Sequence, residues 1–152
     1  MNRTLSNGAL VVVLTLLLSA CATPASQVGS IRIDNAWSRP AAAGSNGAAY
    51  FTLRSTGSAD RLVGASSEVA RVCELHKTMT EGGVARMASV KAIDVPAGGS
   101  VELKPGSFHV MLIGLNRELR GGDKFPLTLN FESGATGTIL VEVRGSDAPP
   151  SH

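Results

Sequence analysis

The sequence predicts an all-β domain, a Greek-key sandwich or barrel of about eight or nine short strands. Three observations carry that prediction. Short β-type runs recur along the chain, clusters of Gly, Pro, Asp and Ser separate them, and after the first twenty residues no stretch sustains helical periodicity over about ten residues. The first run, Ile31 to Trp37, opens the domain, and Ala48 to Arg54 follows. The turn sequence Ser55-Thr-Gly-Ser-Ala-Asp60 separates this second run from Arg61 to Ser66. Val72 to Thr78 and Ala85 to Val90 flank Glu81-Gly-Gly83. Pro96-Ala-Gly-Gly99 leads into Ser100 to Lys104, Pro105-Gly106 into Phe108 to Leu115, Gly121-Gly-Asp123 into Phe125 to Glu132, and Ser133-Gly134 into Thr138 to Arg144.

The chain has 152 residues, enough for one domain, with 14 Lys+Arg against 12 Asp+Glu and a formal charge of +2. No run of Lys or Arg supplies the clustered cations that nucleic-acid binding needs, so nucleic acid is not an expected partner. Arg3 precedes the apolar run Ala9 to Leu18, which is shorter than the roughly 20 residues of a membrane-spanning helix and fits a secretory signal. The signal, residues 1–20, ends in Leu18-Ser19-Ala20-Cys21, which resembles the lipobox of bacterial lipoproteins. Cys21 is then the lipidated first residue of the mature chain, anchored outside the cytoplasmic membrane. Ala22 after it favours the outer membrane, where an Asp would favour inner-membrane retention. Residues 21–30, small and polar, read as lipidated N-terminus and flexible tether, 31–145 as the β domain, and 146–152 as a disordered tail.

A lipidated Cys21 cannot form a disulfide, which leaves Cys73 as a single thiol. Few reactive groups remain. In Phe108-His-Val-Met-Leu112 strand alternation puts Phe108, Val110 and Leu112 on one face and His109 with Met111 on the other. In Val72-Cys-Glu-Leu-His-Lys77 the same rule groups Cys73 with Leu75, on the core side, and Glu74 with His76, facing out. Imidazole with soft, neutral thioether is a ligand set suited to Cu(I), whereas hard ions take oxygen and structural zinc takes thiolate and imidazole. There is no Ser-His-Asp set, identifiable catalytic carboxylate pair or phosphate-cradling glycine loop, so an enzyme is not expected.

His76, Met87 and His109-Val110-Met111 together form the H-x10-M-x21-H-x-M signature, which resembles that of the periplasmic copper chaperone family PCu(A)C. Val95-Pro-Ala-Gly-Gly-Ser-Val-Glu-Leu-Lys-Pro-Gly106, Ala49-Tyr-Phe-Thr52, Asp60-Arg-Leu-Val63, Glu74-Leu-His76, Met111-Leu-Ile-Gly-Leu115 and Phe125-Pro-Leu-Thr-Leu129 extend the resemblance over about Ile31 to Val143. It implies a cupredoxin-like barrel or sandwich that binds one Cu(I) through His76, Met87, His109 and Met111. It also implies delivery to the CuA centre of cytochrome c oxidase subunit II, directly or with a thiol-bearing copper chaperone. Some family members carry Met directly after the first His, where this chain has Lys77; Met79, two residues on, is at most an auxiliary ligand. The tail offers only His152, whereas some members have a His- and Met-rich extension.

Two other readings compete. Cys73-Glu-Leu-His76-Lys-Thr-Met79 has the C-x2-H-x2-M spacing of some blue-copper electron carriers. No His precedes residue 76 in the sequence, and alternation separates Cys73 from His76. The other is a metal-free β-sandwich that binds a protein or sugar and uses its histidines structurally.

Overall fold

The computed structural model describes residues 25–145, so the expected signal, the lipidated Cys21 and the tail 146–152 lie outside the described residues. Eleven strands form one continuous sheet: β1 (Ser26–Val28), β2 (Ile31–Ser38), β3 (Gly47–Ser55), β4 (Asp60–Ser66), β5 (Ala70–Glu81), β6 (Val84–Ser89), β7 (Ile93–Val95), β8 (Ser100–Leu103), β9 (Phe108–Leu115), β10 (Lys124–Phe131) and β11 (Thr136–Val143). Among the described residues there is no helix, in agreement with the all-β prediction. The order across the sheet is β6-β5-β9-β3-β2-β11-β10-β4-β7, with β1 added to β2 and β8 to β3. All ladders are antiparallel except β11 with β2.

The nine predicted runs are all strands, and two further strands escaped the sequence. Ile93–Val95 is short, but Ile93 and Val95 are buried and pair with β4. Ser26–Val28 corrects the expected tether at 21–30. These polar residues pair with Ile31 to Ile33, and the Val28 side chain, 5% exposed, enters the core. Gly137 makes room for it, because a Cβ there would collide with the Val28 methyl groups. A single apolar side chain and a short reverse turn are too little pattern for sequence reading to recognise.

Period-two alternation builds the core. Ile31 and Ile33 of β2, Phe51 and Leu53 of β3, Val110 and Leu112 of β9, and Leu127 and Leu129 of β10 all point inward and are buried. Buried side chains of this size each contribute about 1.5–3 kcal/mol, so the domain needs no disulfide.

Two breaks in regularity matter for function. Strand β3 pairs with β9 through Gly47 to Ala49 and with β8 through Phe51 to Arg54, so the sheet forks at Tyr50. Beside the fork, β2 carries one extra residue between the pairs Asp34↔Thr52 and Trp37↔Tyr50. Asn35 sits within this bulge at a φ of 61°, a conformation that Asn tolerates better than most residues. The bulge shifts Trp37 onto the outer face next to Tyr50 while Ser38 turns inward opposite Ala49.

Docking of β1 is expected to stabilise the domain. A chain starting at residue 31 should be about 1.5–3 kcal/mol less stable to urea than one starting at residue 25, through loss of Val28 burial. Equal unfolding midpoints and slopes would show that β1 is a passive appendage.

Candidate metal centre

Strand β9 lies between β5 and β3, and these two ladders assemble the site. His76 is the direct partner of His109, and Glu74 of Met111, across the β5–β9 ladder. Met111 is also the partner of Ala48 on β3. Directly opposed residues project to the same face, so His76, Glu74, His109 and Met111 share the outer face while Leu75, Val110 and Leu112 fill the core. On the edge strand β6, Met87 pairs with Thr78, two residues beyond His76, and so falls on that same face. Met87 is 63% exposed. Met87, His109, Met111, Thr78 and Tyr50, with Arg39 and Pro40, line an open cavity of about 400 Å³.

The two imidazoles are held differently. Their ring centroids lie 5.7 Å apart. The Nδ1–H of His109 donates to the Ser107 carbonyl at 3.1 Å, so its Nε2 carries the lone pair. That carbonyl is itself fixed, because it also accepts the Thr78 N–H at 3.0 Å. It comes off the Pro105-Gly106 turn, where Gly106 at a φ of 80° allows the chain to reverse from β8 into β9. On His76 the Nε2–H donates to Glu74 Oε2 at 2.9 Å, and Nδ1 is buried with no hydrogen-bond partner. An unpaired buried polar nitrogen costs about 1–3 kcal/mol, so a lone pair left in this way suits a ligand. Among the described residues no group of three His, Cys, Asp or Glu is placed to hold a metal. The other sulfur or nitrogen donors on this face are the thioethers of Met87 and Met111.

Aromatic rings that sequence reasoning did not single out cover His109 from the β3 side. Tyr50 lies 6.3 Å from His109 and Trp37 4.7 Å from Tyr50, with the Arg144 guanidinium 5.7 Å over the Trp37 ring. Their cover leaves His109 only 3% exposed despite its place on the outer face. Burial lowers the His109 pKa, the Ser107 hydrogen bond partly opposes this, and the nearby His76 lowers it further. Burial also raises the Tyr50 pKa, so the phenol stays neutral. Tyr50 was legible only as part of a matching run, and Trp37 not at all, because its face depends on the bulge.

The remaining residues fall apart from this cluster. Cys73 pairs with Leu112, on the core side, and burial raises its thiol pKa. Met79 pairs with Arg86 and by alternation faces away from His76. Cys73, His76 and Met79 therefore do not converge, and the blue-copper spacing is not assembled into a site.

The lowered pKa of His109 has a consequence for folding. Below about pH 6.5 the unfolded imidazole takes up a proton before the folded one does, so stability should fall as pH drops through that value. It should level off once the folded His109 is also protonated. Urea unfolding between about pH 7.5 and 5 checks this: His109→Gln should flatten the slope that Met111→Ala retains, and equal slopes would contradict the assignment.

Comparison with known proteins agrees with this architecture. Residues 31–143 match the family described as "Putative lipoprotein LpqE-like". The "Putative lipoprotein Lxx21020" of Leifsonia xyli subsp. xyli is 35% identical over 130 residues, covering 84% of this chain and 78% of that protein. The copper-bound PCuAC domain from PmoF2 superposes with a TM-score of 0.68 at 26% identity, covering 81% of this chain and 99% of that one. The solution structure of CuI-DR1885 from Deinococcus radiodurans gives a TM-score of 0.59 at 30% identity, over 84% of this chain and 85% of that one. The chain belongs to the LpqE-like lipoprotein family and, with it, to the PCu(A)C family that its His and Met signature resembles.

Proposed function

We propose that the protein is an extracytoplasmic copper chaperone that carries one Cu(I) on His76, Met87, His109 and Met111. The observation that carries this reading is the opposed histidine pair on the outer face. One ring has a buried, unpartnered Nδ1, the other is fixed with its Nε2 lone pair free, and two methionines share the face. The solved relatives with bound copper support the same reading.

The donor chemistry selects the ion. Two imidazoles and two thioethers are all neutral, so they leave Cu(I) with a single net charge and favour it over Cu(II). The lowered pKa of His109 keeps that imidazole deprotonated, and so able to bind, to more acidic pH than a solvent-exposed histidine. Ser107 and Glu74 orient the two rings, while exposed Met87 on the edge strand gives an incoming ligand its first accessible position. Transfer then proceeds by ligand exchange, in which the acceptor's donors replace the thioethers one at a time before the imidazoles let go.

The acceptor we propose is the CuA centre of cytochrome c oxidase subunit II, reached directly or through a thiol-bearing copper chaperone. A lipid on Cys21 would hold the carrier at a membrane facing the periplasm, with the outer membrane favoured by Ala22.

Titration with Cu(I) under reducing conditions against a competing chelator tests the site. One equivalent should bind. His76→Ala and His109→Ala should each weaken affinity by more than the roughly 10- to 100-fold expected for losing an outer hydrogen-bonding partner. Met79→Ala should stay near wild type, and losses equal to those of the histidine variants would contradict the assignment. Affinity should also fall between about pH 7 and 5 as protons compete for imidazole. No stoichiometric binding would leave the metal-free interaction module as the reading.

A further inference from the structure

We propose that Glu74 is a positioning residue that makes Nδ1, not Nε2, the copper donor of His76; the proposal rests on the copper reading above. A carboxylate only accepts hydrogen bonds. The 2.9 Å contact between Glu74 Oε2 and His76 Nε2 therefore places the single proton of the neutral ring on Nε2 and the lone pair on Nδ1. Nδ1 is the one buried side-chain nitrogen or oxygen among the described residues that lacks a hydrogen-bond partner. The two ligand rings are thus held in opposite senses. Ser107 takes the Nδ1–H of His109 and leaves Nε2, whereas Glu74 takes the Nε2–H of His76 and leaves Nδ1.

The strand supplies the geometry. Glu74 and His76 are two residues apart on β5 and so project to one face, and Glu74 stands opposite Met111 as His76 stands opposite His109. Its carboxylate therefore approaches His76 from the Met111 row of the face and orients the ring from outside the donor set. A carboxylate bonded to the far nitrogen of a ligand imidazole fixes the tautomer and raises its basicity, and loss of such a partner typically costs about 10- to 100-fold in metal affinity. Glu74 also adds negative charge beside a donor set that has none of its own. Sequence alternation put Glu74 on the His76 face without giving it work to do.

Long-range proton–nitrogen NMR of the imidazoles, with and without Cu(I), tests the assignment on the full chain. In the metal-free protein His76 should carry its proton on Nε2, and Cu(I) should perturb its Nδ1. Glu74→Leu should lose that tautomer preference and bind Cu(I) about 10- to 100-fold more weakly. Glu74→Gln keeps an accepting oxygen without the charge, so it should retain the tautomer and fall between the two in affinity. It also covers the case in which the leucine variant does not fold. Glu102→Leu, an exposed carboxylate paired with Lys104, serves as the control and should bind as wild type. Perturbation of Nε2 on His76, or a Glu74→Leu affinity within about twofold of wild type, would overturn the positioning role while leaving the chaperone reading intact. Failure of the wild-type protein to bind Cu(I) would overturn the chaperone reading itself, and the metal-free spectra would still report which nitrogen of His76 carries the proton that Glu74 accepts.

Discussion

Strand β9 is hydrogen-bonded to β5 on one side and to β3 on the other, and the register of these two ladders decides where His76, His109 and Met111 fall. With His76 opposite His109, the imidazoles and Met111 share a face and the aliphatic side chains between them fill the core. A slip of one residue would reverse both sets, burying polar rings and exposing Val110 and Leu112. The cost of that exchange is a large part of what holds the register, so the core fixes the site geometry as a by-product of its own burial. Strand β3 adds the second constraint. Its change of partner at Tyr50 lets the same strand belong to the β9 side and the β8 side, and the Pro105-Gly106 turn delivers the Ser107 carbonyl to His109 beside that fork.

What was legible in the sequence follows from which features are local. His109 and Met111 lie within five residues of the apolar set Phe108, Val110 and Leu112, so alternation alone assigned their face. The same local rule separated Cys73 from His76, and the β5–β9 pairing agrees with it. Long-range features left no such trace. Pairing of β5 with β9 brings residues from distant parts of the chain into contact, and only the spacing of the His and Met signature hinted that they belong together. Strand β1 has one buried apolar residue, which no periodicity argument can detect, and its recognition needs the space left by Gly137 on β11. Trp37 depends on the bulge at Asn35, where one extra residue changes the face of everything that follows.

Ser107 and Glu74 illustrate a third kind of information. Ser107 acts through its backbone carbonyl, so its side-chain identity says nothing about its part in fixing His109. Glu74 is a common residue in an exposed strand position, and only the 2.9 Å contact together with the unpartnered Nδ1 of His76 distinguishes it from an ordinary surface carboxylate. Neither belongs to the donor set, yet each determines which nitrogen its histidine can offer. For a metal site, the tautomer is as much a part of the specification as the ligand identity.

The proposed donors also form a gradient of burial across the sheet, and this bears on how a carrier could hold an ion and still release it. His109 is enclosed by Tyr50, the Trp37 ring behind it and His76, so its ring is already packed in place before any ion binds. Met111 is partly covered between β3 and β5, and Met87 stands on the free edge strand, most of its side chain in solvent. Fixing an exposed, three-torsion methionine on an ion costs side-chain entropy that the buried His109 ring and the hydrogen-bonded His76 ring have already given up on folding. In the proposed site the imidazoles would therefore supply the persistent part of the binding energy, and Met87 the part most easily given up. Because the weakest-held donor is also the most accessible, the route by which an acceptor could reach the ion and the order in which donors could leave coincide at the edge of the sheet.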